Sequence, residues 1–381
     1  MTMLLNDEER MLEESAADFF GARVEIGALR TLRDEPPEGG HDAGLWREIA
    51  ELGWTAIPWP ESCGGLDFGY KGLGVVTRAA GRRLTVSPLF ASVWFGGTLL
   101  NLAGNLLQKQ EWLSAVAAGE LRLAVACEER AHHAPFHVTT TATRQGGTFL
   151  LNGHKTFVLD GAAAERLIVV ARTAGEFDDR HGISLFVVDA DAPGVSLTPV
   201  LLADSRGAAE LHLENAEVHE DAILAELGEG ADALERAMDI ARIGLAAEML
   251  GSLEECFERT VAYLKEREQF GAPIGSFQGL KHRAAQLYCE VELSKSVVLE
   301  ALTALDEQRD ASEIAKLASL AKCQVGEAFG LVAREGVQMH GGIGMTDEFD
   351  IGFFLKRSGV ADATLGNHDF HRDRFGVLEG C

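Results

Sequence analysis

The sequence predicts an α+β protein in three parts: an N-terminal helical domain over residues 1–120, a small antiparallel β-barrel domain over 121–227, and a C-terminal four-helix bundle over 228–381. Three observations predict it. The hydrophobic period changes twice along the chain, from helical to strand-like and back. The middle part is a series of short β-branched runs broken by Gly, Asp and Asn. The last part carries helical segments long enough for a bundle.

Taken in order, Asn6 stands three residues before Glu9, the form of a capping box opening DEERMLEESAADFFGAR. HDAGLWREIAELGW reads as a second helical segment, and PWPESCGGLDFGYKG as a Pro/Gly loop leading into more helix. HVTTTATR, GTFLLNG, RLIVVART, GISLFVVDA, GVSLTPV and AELHLENAEV are the expected strands. Beyond them, Phe277, Leu280, Ala284, Leu287, Val291, Ser294, Val298 and Leu302 lie on one stripe of a long bundle helix. No internal repeat is evident.

Composition excludes several classes of function. With 34 basic against 59 acidic residues and a net charge of −25, non-specific binding to nucleic acid or an anionic membrane surface is disfavoured. An anionic ligand must be held by local cations or backbone N–H groups. The six cysteines are scattered without a CxxC pair, which fits reduced thiols rather than a disulfide framework or structural zinc site. The acidic start MTMLLNDEERM has no signal pattern, and the apolar stretch VWFGGTLLNLAGNLL is interrupted by Gly and Asn, short of the ~18 apolar residues of a membrane helix. A soluble, cytoplasmic protein without membrane insertion is expected.

ACEERAHHAP, residues 126–135, concentrates two carboxylates, an arginine and two histidines, with His137 just beyond. A metal site is a poor reading: His133 and His137 would need a helix to stand one turn apart, and Pro135 lies between them. MHGGIGM follows a helical segment rather than a strand, so a Rossmann fingerprint is not supported.

REQFGAPIGSFQ (267–278) and GVQMHGGIGMTDE (336–348), in this helical, β, helical order, closely resemble the acyl-CoA dehydrogenase family of flavoproteins. WREIAELGWTAIPWPESCGG and LNGHKTFVLDGAAAERLIVVART extend the resemblance over essentially the whole chain. It implies FAD, an acyl-CoA substrate and α,β-dehydrogenation, in which a carboxylate removes the Cα proton and the flavin takes a hydride from Cβ. It further implies an oligomer, and an electron-transferring flavoprotein as acceptor. Arg267 and Phe270 match the family residues that clamp the adenosine-diphosphate half of FAD across a subunit interface, and Gln278 matches a further polar contact. Gln338, Gly341, Gly342 and Gly344 match the turn whose backbone approaches the same half.

Where the family carries a Thr-Glu-Pro loop ending in Gly-Ser-Asp against flavin and thioester, this chain has Cys127 for Thr, Glu129 for Pro and His133 for Ser. The family's Trp-Ile-Thr becomes Phe157-Val158-Leu159, so Phe157 and Leu159 stand in the flavin region. The catalytic glutamate is absent from both customary positions, occupied here by Leu365 and by Ala241 before Arg242. Glu248, seven residues after Ala241 on the same helix face, is the candidate substitute base, with Arg242 beside it. Its structural alternative is a carboxylate paired with Arg242 or another bundle cation. His368, Asp369 and His371 are expected to face solvent or cap the last helix. The pattern resembles the small subunits of pimeloyl-CoA-type and some steroid side-chain dehydrogenases, in which a related chain supplies the base. Two readings follow: a dehydrogenase for fatty or steroid side-chain acyl-CoA, working with a displaced base or as the base-lacking member of a hetero-oligomer, and a non-catalytic acyl-CoA- or flavin-binding subunit.

Overall fold

The computed structural model describes residues 5–381. The capping box is formed: Asn6 Oδ1 accepts the Glu9 N–H and Glu9 Oε2 accepts the Asn6 N–H, both at 2.8 Å, opening α1 (Asp7–Arg23). There follow α2 (Leu29–Asp34), α3 (Ala43–Glu51), α4 (Gly69–Arg82), a π-helical segment (Leu89–Gly97), α5 (Thr98–Ala103), α6 (Leu106–Gln108) and α7 (Ser114–Ala117). In the apolar stretch after residue 92, Val93, Trp94, Phe95, Leu99 and Leu100 are buried in protein. No helix among the described residues is long and apolar enough to cross a membrane.

The chain folds as two compact units that do not follow chain order. One comprises Thr31–Gly69 and Val86–Ala241; the other gathers the chain up to Arg30, Tyr70–Thr85 and Arg242–Cys381.

In the first unit the strands are β1 (Leu123–Ala126), β2 (Thr141–Gln145), β3 (Thr148–Leu159), β4 (Arg166–Arg172), β5 (Ile183–Asp189), β6 (Val195–Leu201), β7 (Gly207–His219) and β8 (Ile223–Leu224). They form one sheet in the order β6-β7-β3-β2-β4-β5-β8, with β1 paired to β4. Most pairings are antiparallel, as expected, but β1 runs parallel to β4 from Leu123↔Arg166 to Ala126↔Val169, and β2 meets β4 in parallel at Thr141↔Arg172. Neither strand reaches β4 through a hairpin, and only crossover connections allow parallel neighbours. Phe149, Leu151, Leu167, Val169, Phe186, Val188 and Leu211 form the core on the sheet.

The second unit is organised on α8 (Ala231–Glu266, from Arg242 onward), α9 (Gln278–Asp306) and α10 (Ala311–His340). A two-stranded ribbon, β9 (Glu268–Gln269) with β10 (Ala272–Pro273), lies between α8 and α9. The place of the expected fourth bundle helix is taken by two shorter ones, α11 (Ile351–Ala363) and α12 (His368–Glu379), both packed along α10. On α9 the predicted stripe is buried at Leu287, Val291, Ser294, Val298 and Leu302, but Phe277 at its start is exposed. Helix α4 crosses α8 at backbone contact: a Cβ added to Gly251 would lie 1.9 Å from the Arg78 carbonyl oxygen, and one added to Gly81 would lie 2.1 Å from that of Glu248. Arg78 secures the crossing with a two-pronged contact to the buried Glu254, at 2.7 Å on each oxygen.

Backbone carbonyls cannot yield as a flexible side chain does, so Gly251→Ala is expected to lower stability by roughly 2–3 kcal/mol. Gly359→Ala on α11, where an added Cβ meets nothing within 4 Å, should be neutral or stabilising by up to about 1 kcal/mol. Urea unfolding of both variants checks this pair.

Candidate functional site

In the first unit, the segment between β1 and β2 holds the carboxylates and histidines singled out in the sequence, and the structure separates them into independent contacts. Glu129 is saturated by donors: it accepts from the backbone N–H and hydroxyl of Thr139, from those of Thr140 at 3.0 and 2.7 Å, and from Lys155 Nζ of β3 at 2.6 Å. Lys155 is fully buried. Desolvation by itself would push the Glu129 carboxyl up, but the Lys155 charge and the four Thr donors outweigh it and hold the group at about 2. Glu128 serves a different partner. Its Oε1 lies 2.5 Å from His133 Nδ1 and its Oε2 accepts the Ala134 N–H at 3.0 Å.

His137 is directed elsewhere, with Nδ1 2.6 Å from Asp178 Oδ1 and Nε2 2.8 Å from an Arg130 nitrogen. Among the described residues no three His, Cys, Asp or Glu side chains are grouped to hold a metal ion. Cys127 is buried, and Phe157 and Leu159 are half-buried. Phe157 sits in the left-handed region at φ 52°, where a register shift interrupts the β3–β7 ladder between Lys155 and Val158. The Thr156 N–H donates to the Glu128 carbonyl at 2.9 Å, so the same stretch of β3 fixes the loop.

In the second unit, two turns predicted to act together are linked at their bases: Tyr263 near the end of α8 stacks on His340 at the end of α10, with ring centroids 4.3 Å apart. Arg267, Gln278 and Gln338 are exposed, and Arg267 makes no side-chain ion pair or hydrogen bond to another described residue. Phe270 is 94% exposed, held at φ 57° with its ring edge-on to Phe277. The three glycines differ in what they require. Gly341 has φ 66°, and an added Cβ at Gly341 or Gly342 meets nothing within 4 Å. Gly344 has an internal reason instead, since its Cβ would lie 2.7 Å from the Val337 carbonyl oxygen. Close packing within the turn is therefore a sufficient reason for glycine at this position. An unpaired guanidinium, an exposed aromatic ring and an open glycine turn suit a ligand with a flat ring and an anionic diphosphate, as FAD has.

The positions where a base is expected are filled by apolar or paired groups. Ala241 is buried. Leu365 is buried in the corner between α11 and α12, with φ 55°. Its carbonyl oxygen lies 3.0 Å from Arg242 Nε, which donates to it, and 3.0 Å from His371 Nε2. His371 is therefore fully buried rather than facing solvent. His368 lies at the start of α12, its Nδ1 2.8 Å from Asp362 Oδ2, while Asp369 is paired with Arg372 at the surface. Glu248 is buried, as its helix face predicts, and its Oε1 receives Arg357 at 2.9 Å, the alternative bundle cation.

Sequence reasoning missed Lys155, Arg357 and Lys322. Lys322 donates to the carbonyls of Ala361 and Asp362 at 2.7 and 3.2 Å, closing the end of α11, and burial pushes its ammonium down to about 7. A lysine or arginine inside an otherwise apolar helical or strand period is the one available signal for such residues.

Family models for the acyl-CoA dehydrogenase N-terminal, middle and C-terminal domains match residues 6–120, 127–216 and 228–376. The chain is 31% identical over 334 residues to the acyl-CoA dehydrogenase FadE12 of Mycobacterium tuberculosis, covering 86% of this chain and 85% of that protein. It is 29% identical to an acyl-CoA dehydrogenase of Bacillus subtilis, over 97% of each. Among solved structures, a variant of the Tcur3481-Tcur3483 steroid ACAD superposes with a TM-score of 0.87 at 30% identity, covering 98% of both chains. The ChsE4-ChsE5 complex of Mycobacterium tuberculosis gives a TM-score of 0.89 at 25% identity, over 100% of this chain and 99% of that one.

Removing the Glu129 charge leaves a fully buried ammonium uncompensated, so Glu129→Gln is expected to cost about 3 kcal/mol at neutral pH. Because the folded-state carboxyl titrates at about 2, below its unfolded value, this advantage of the wild type is fully present above about pH 5 and shrinks as pH falls towards 2. Paired urea titrations of the two proteins from pH 7 to 3 measure the closing gap.

Proposed function

The chain belongs to the acyl-CoA dehydrogenase family, and on that premise we propose that it is a cytoplasmic FAD-dependent subunit for α,β-dehydrogenation of acyl-CoA, lacking the customary carboxylate base and working with a related chain. The observation that carries this reading is a contrast between two parts of the molecule. Arg267, Phe270 and the Gly341 turn keep an exposed cation, ring and open backbone, whereas both customary base positions are buried and apolar at Ala241 and Leu365.

In this reading Arg267 makes charge-assisted bonds to the diphosphate of FAD, Phe270 lies against its aromatic portion, and Gly341 and Gly342 admit it to the backbone. Bound FAD supplies the hydride acceptor for Cβ. Gln278 and Gln338 add polar contacts. Exposed Phe270 and Phe277 mark a face that a second subunit covers, since apolar rings left in water in one patch point to association. Two solved relatives that carry paired names, the Tcur3481-Tcur3483 steroid ACAD and the ChsE4-ChsE5 complex, support a hetero-oligomer, and the former supports a bulky acyl group such as a steroid side chain. An electron-transferring flavoprotein is the acceptor in keeping with this chemistry.

Glu248 is engaged by Arg357 and is left as a structural carboxylate, so Glu248→Gln should weaken folding rather than selectively slow catalysis. Arg267→Ala is expected to lower the flavin content of purified protein at least about 10-fold, read from the ratio of visible to 280 nm absorbance. Leu365→Glu, which restores a carboxylate at a customary base position, should raise anaerobic flavin bleaching by acyl-CoA in the chain purified alone by about 100-fold or more. Full bleaching by the unmodified chain alone would remove the need for a partner. A protein that is colourless in every preparation, co-expressed with a related chain or not, would favour the non-catalytic reading.

A further inference from the structure

We propose that the second unit carries a separate binding site for a small uncharged hydrocarbon group, a ring or branched chain of roughly six to eight carbons, in the apolar cavity between α4, α8 and α9. The cavity has a volume of about 210 Å³. Its walls are Val75 of α4, Ala247 and Leu250 of α8, and Val298, Leu299 and Leu302 of α9. All of these but Leu299 are buried.

The helices themselves show why the space exists. On α9, Lys295, Val298, Leu299 and Leu302 follow the i, i+3, i+4, i+7 spacing of one helix face. On α4, Lys71, Gly74, Val75 and Arg78 do the same, and both faces turn to this cavity. Glycine contacts fix how closely the three helices approach. Helix α4 meets α8 at backbone distance at Gly81 and Gly251, and a Cβ added to Gly74 would lie 2.5 Å from Leu302 Cδ1. Between these contacts Ala247 contributes only a methyl group, and the space beside it is left unfilled. Leu250 lies about 200° around α8 from Glu248, so the site is distinct from that carboxylate.

The rest of the lining decides the charge of the ligand. Lys71 is paired with Glu9 at 3.2 Å, Arg78 with Glu13 and Glu254 at 2.8 and 2.7 Å, and Lys295 with Glu254 and Glu292 at 3.4 and 2.7 Å. Four carboxylates therefore meet these three cations, and no positive charge is left over for an anionic head group. What the cations offer the cavity is their aliphatic stems. Water is poorly suited as well: the volume would hold about seven molecules, each needing two to four polar partners that apolar walls do not supply. A neutral apolar group fills the space without displacing an ion pair.

The test uses the full chain as purified, with toluene and benzoate as probes, which share a ring and differ in charge. Calorimetry should give toluene a Kd of about 0.1–1 mM and benzoate a Kd at least about 10-fold weaker. Ala247→Leu fills the cavity from α8 and Leu299→Phe fills it from α9. Each should weaken toluene at least about 10-fold, with a cooperative melting transition within about 5 °C of the wild type to show that the variant is folded. A crystal exposed to toluene should show the ring against Leu250 and Val298. Benzoate bound as tightly as toluene overturns the assignment of a neutral ligand. Toluene bound equally by the wild type and both variants lies elsewhere and overturns the site. Binding that appears only after residues 1–4 are removed gives the cavity to the chain's own terminus and overturns it too, as does absence of binding in every form. None of these outcomes alters flavin content or bleaching by acyl-CoA, so the dehydrogenase reading stands or falls separately.

Discussion

The carbonyl oxygen of Leu365 is the point on which the site-bearing half of the second unit depends. A leucine in the left-handed region is strained by roughly 1–3 kcal/mol, and the corner between α11 and α12 holds it there with φ 55°. The carbonyl is met by the buried Arg242 and the buried His371, each at 3.0 Å. Lys322 closes the preceding turn of α11, so three buried nitrogen-bearing side chains converge on one short stretch of backbone. Hydrogen bonds from charged donors contribute roughly 1.5–3 kcal/mol each, enough to offset the strain. The corner is thus held firmly, with an apolar side chain at its apex.

The same separation of scaffold from chemistry appears in the loop after β1. Glu128 and Glu129 are adjacent in sequence and perform different work. Glu129 is a five-donor anchor joining the loop to Lys155 of β3, and a carboxylate so surrounded is a poor proton acceptor. Glu128 spends one oxygen on the loop backbone and the other on His133.

Charge organises the rest. In a chain of net charge −25, an exposed arginine has many possible partners, and most of the arginines here have taken one. Arg267 has not. It lies three residues before the exposed Phe270, as the local positive group that an anionic ligand requires against the field of the whole molecule. Buried cations have the opposite role: Arg357 with Glu248 and Lys155 with Glu129 are compensated pairs, and removal of one partner costs far more than the pair contributes.

Sequence alone determined what depends on local repetition and short motifs. The helical periods of α8 to α10, the strand runs, the Asn6 capping box and the inward face of Glu248 all follow from spacing along one element. The motifs at 267–278 and 336–348 carried the family resemblance, and with it the absence of a carboxylate at Leu365 and Ala241. Tertiary structure alone decided which groups meet across the chain. It ran β1 parallel to β4, gave Glu248 to Arg357, turned His371 inward to a carbonyl, packed Gly344 against the Val337 carbonyl, and divided the carboxylates of one loop between a lysine and a histidine. Periodicity fixes the face on which a side chain lies, but the partner on that face comes from residues up to more than a hundred positions away, and only the folded chain brings them within hydrogen-bonding distance.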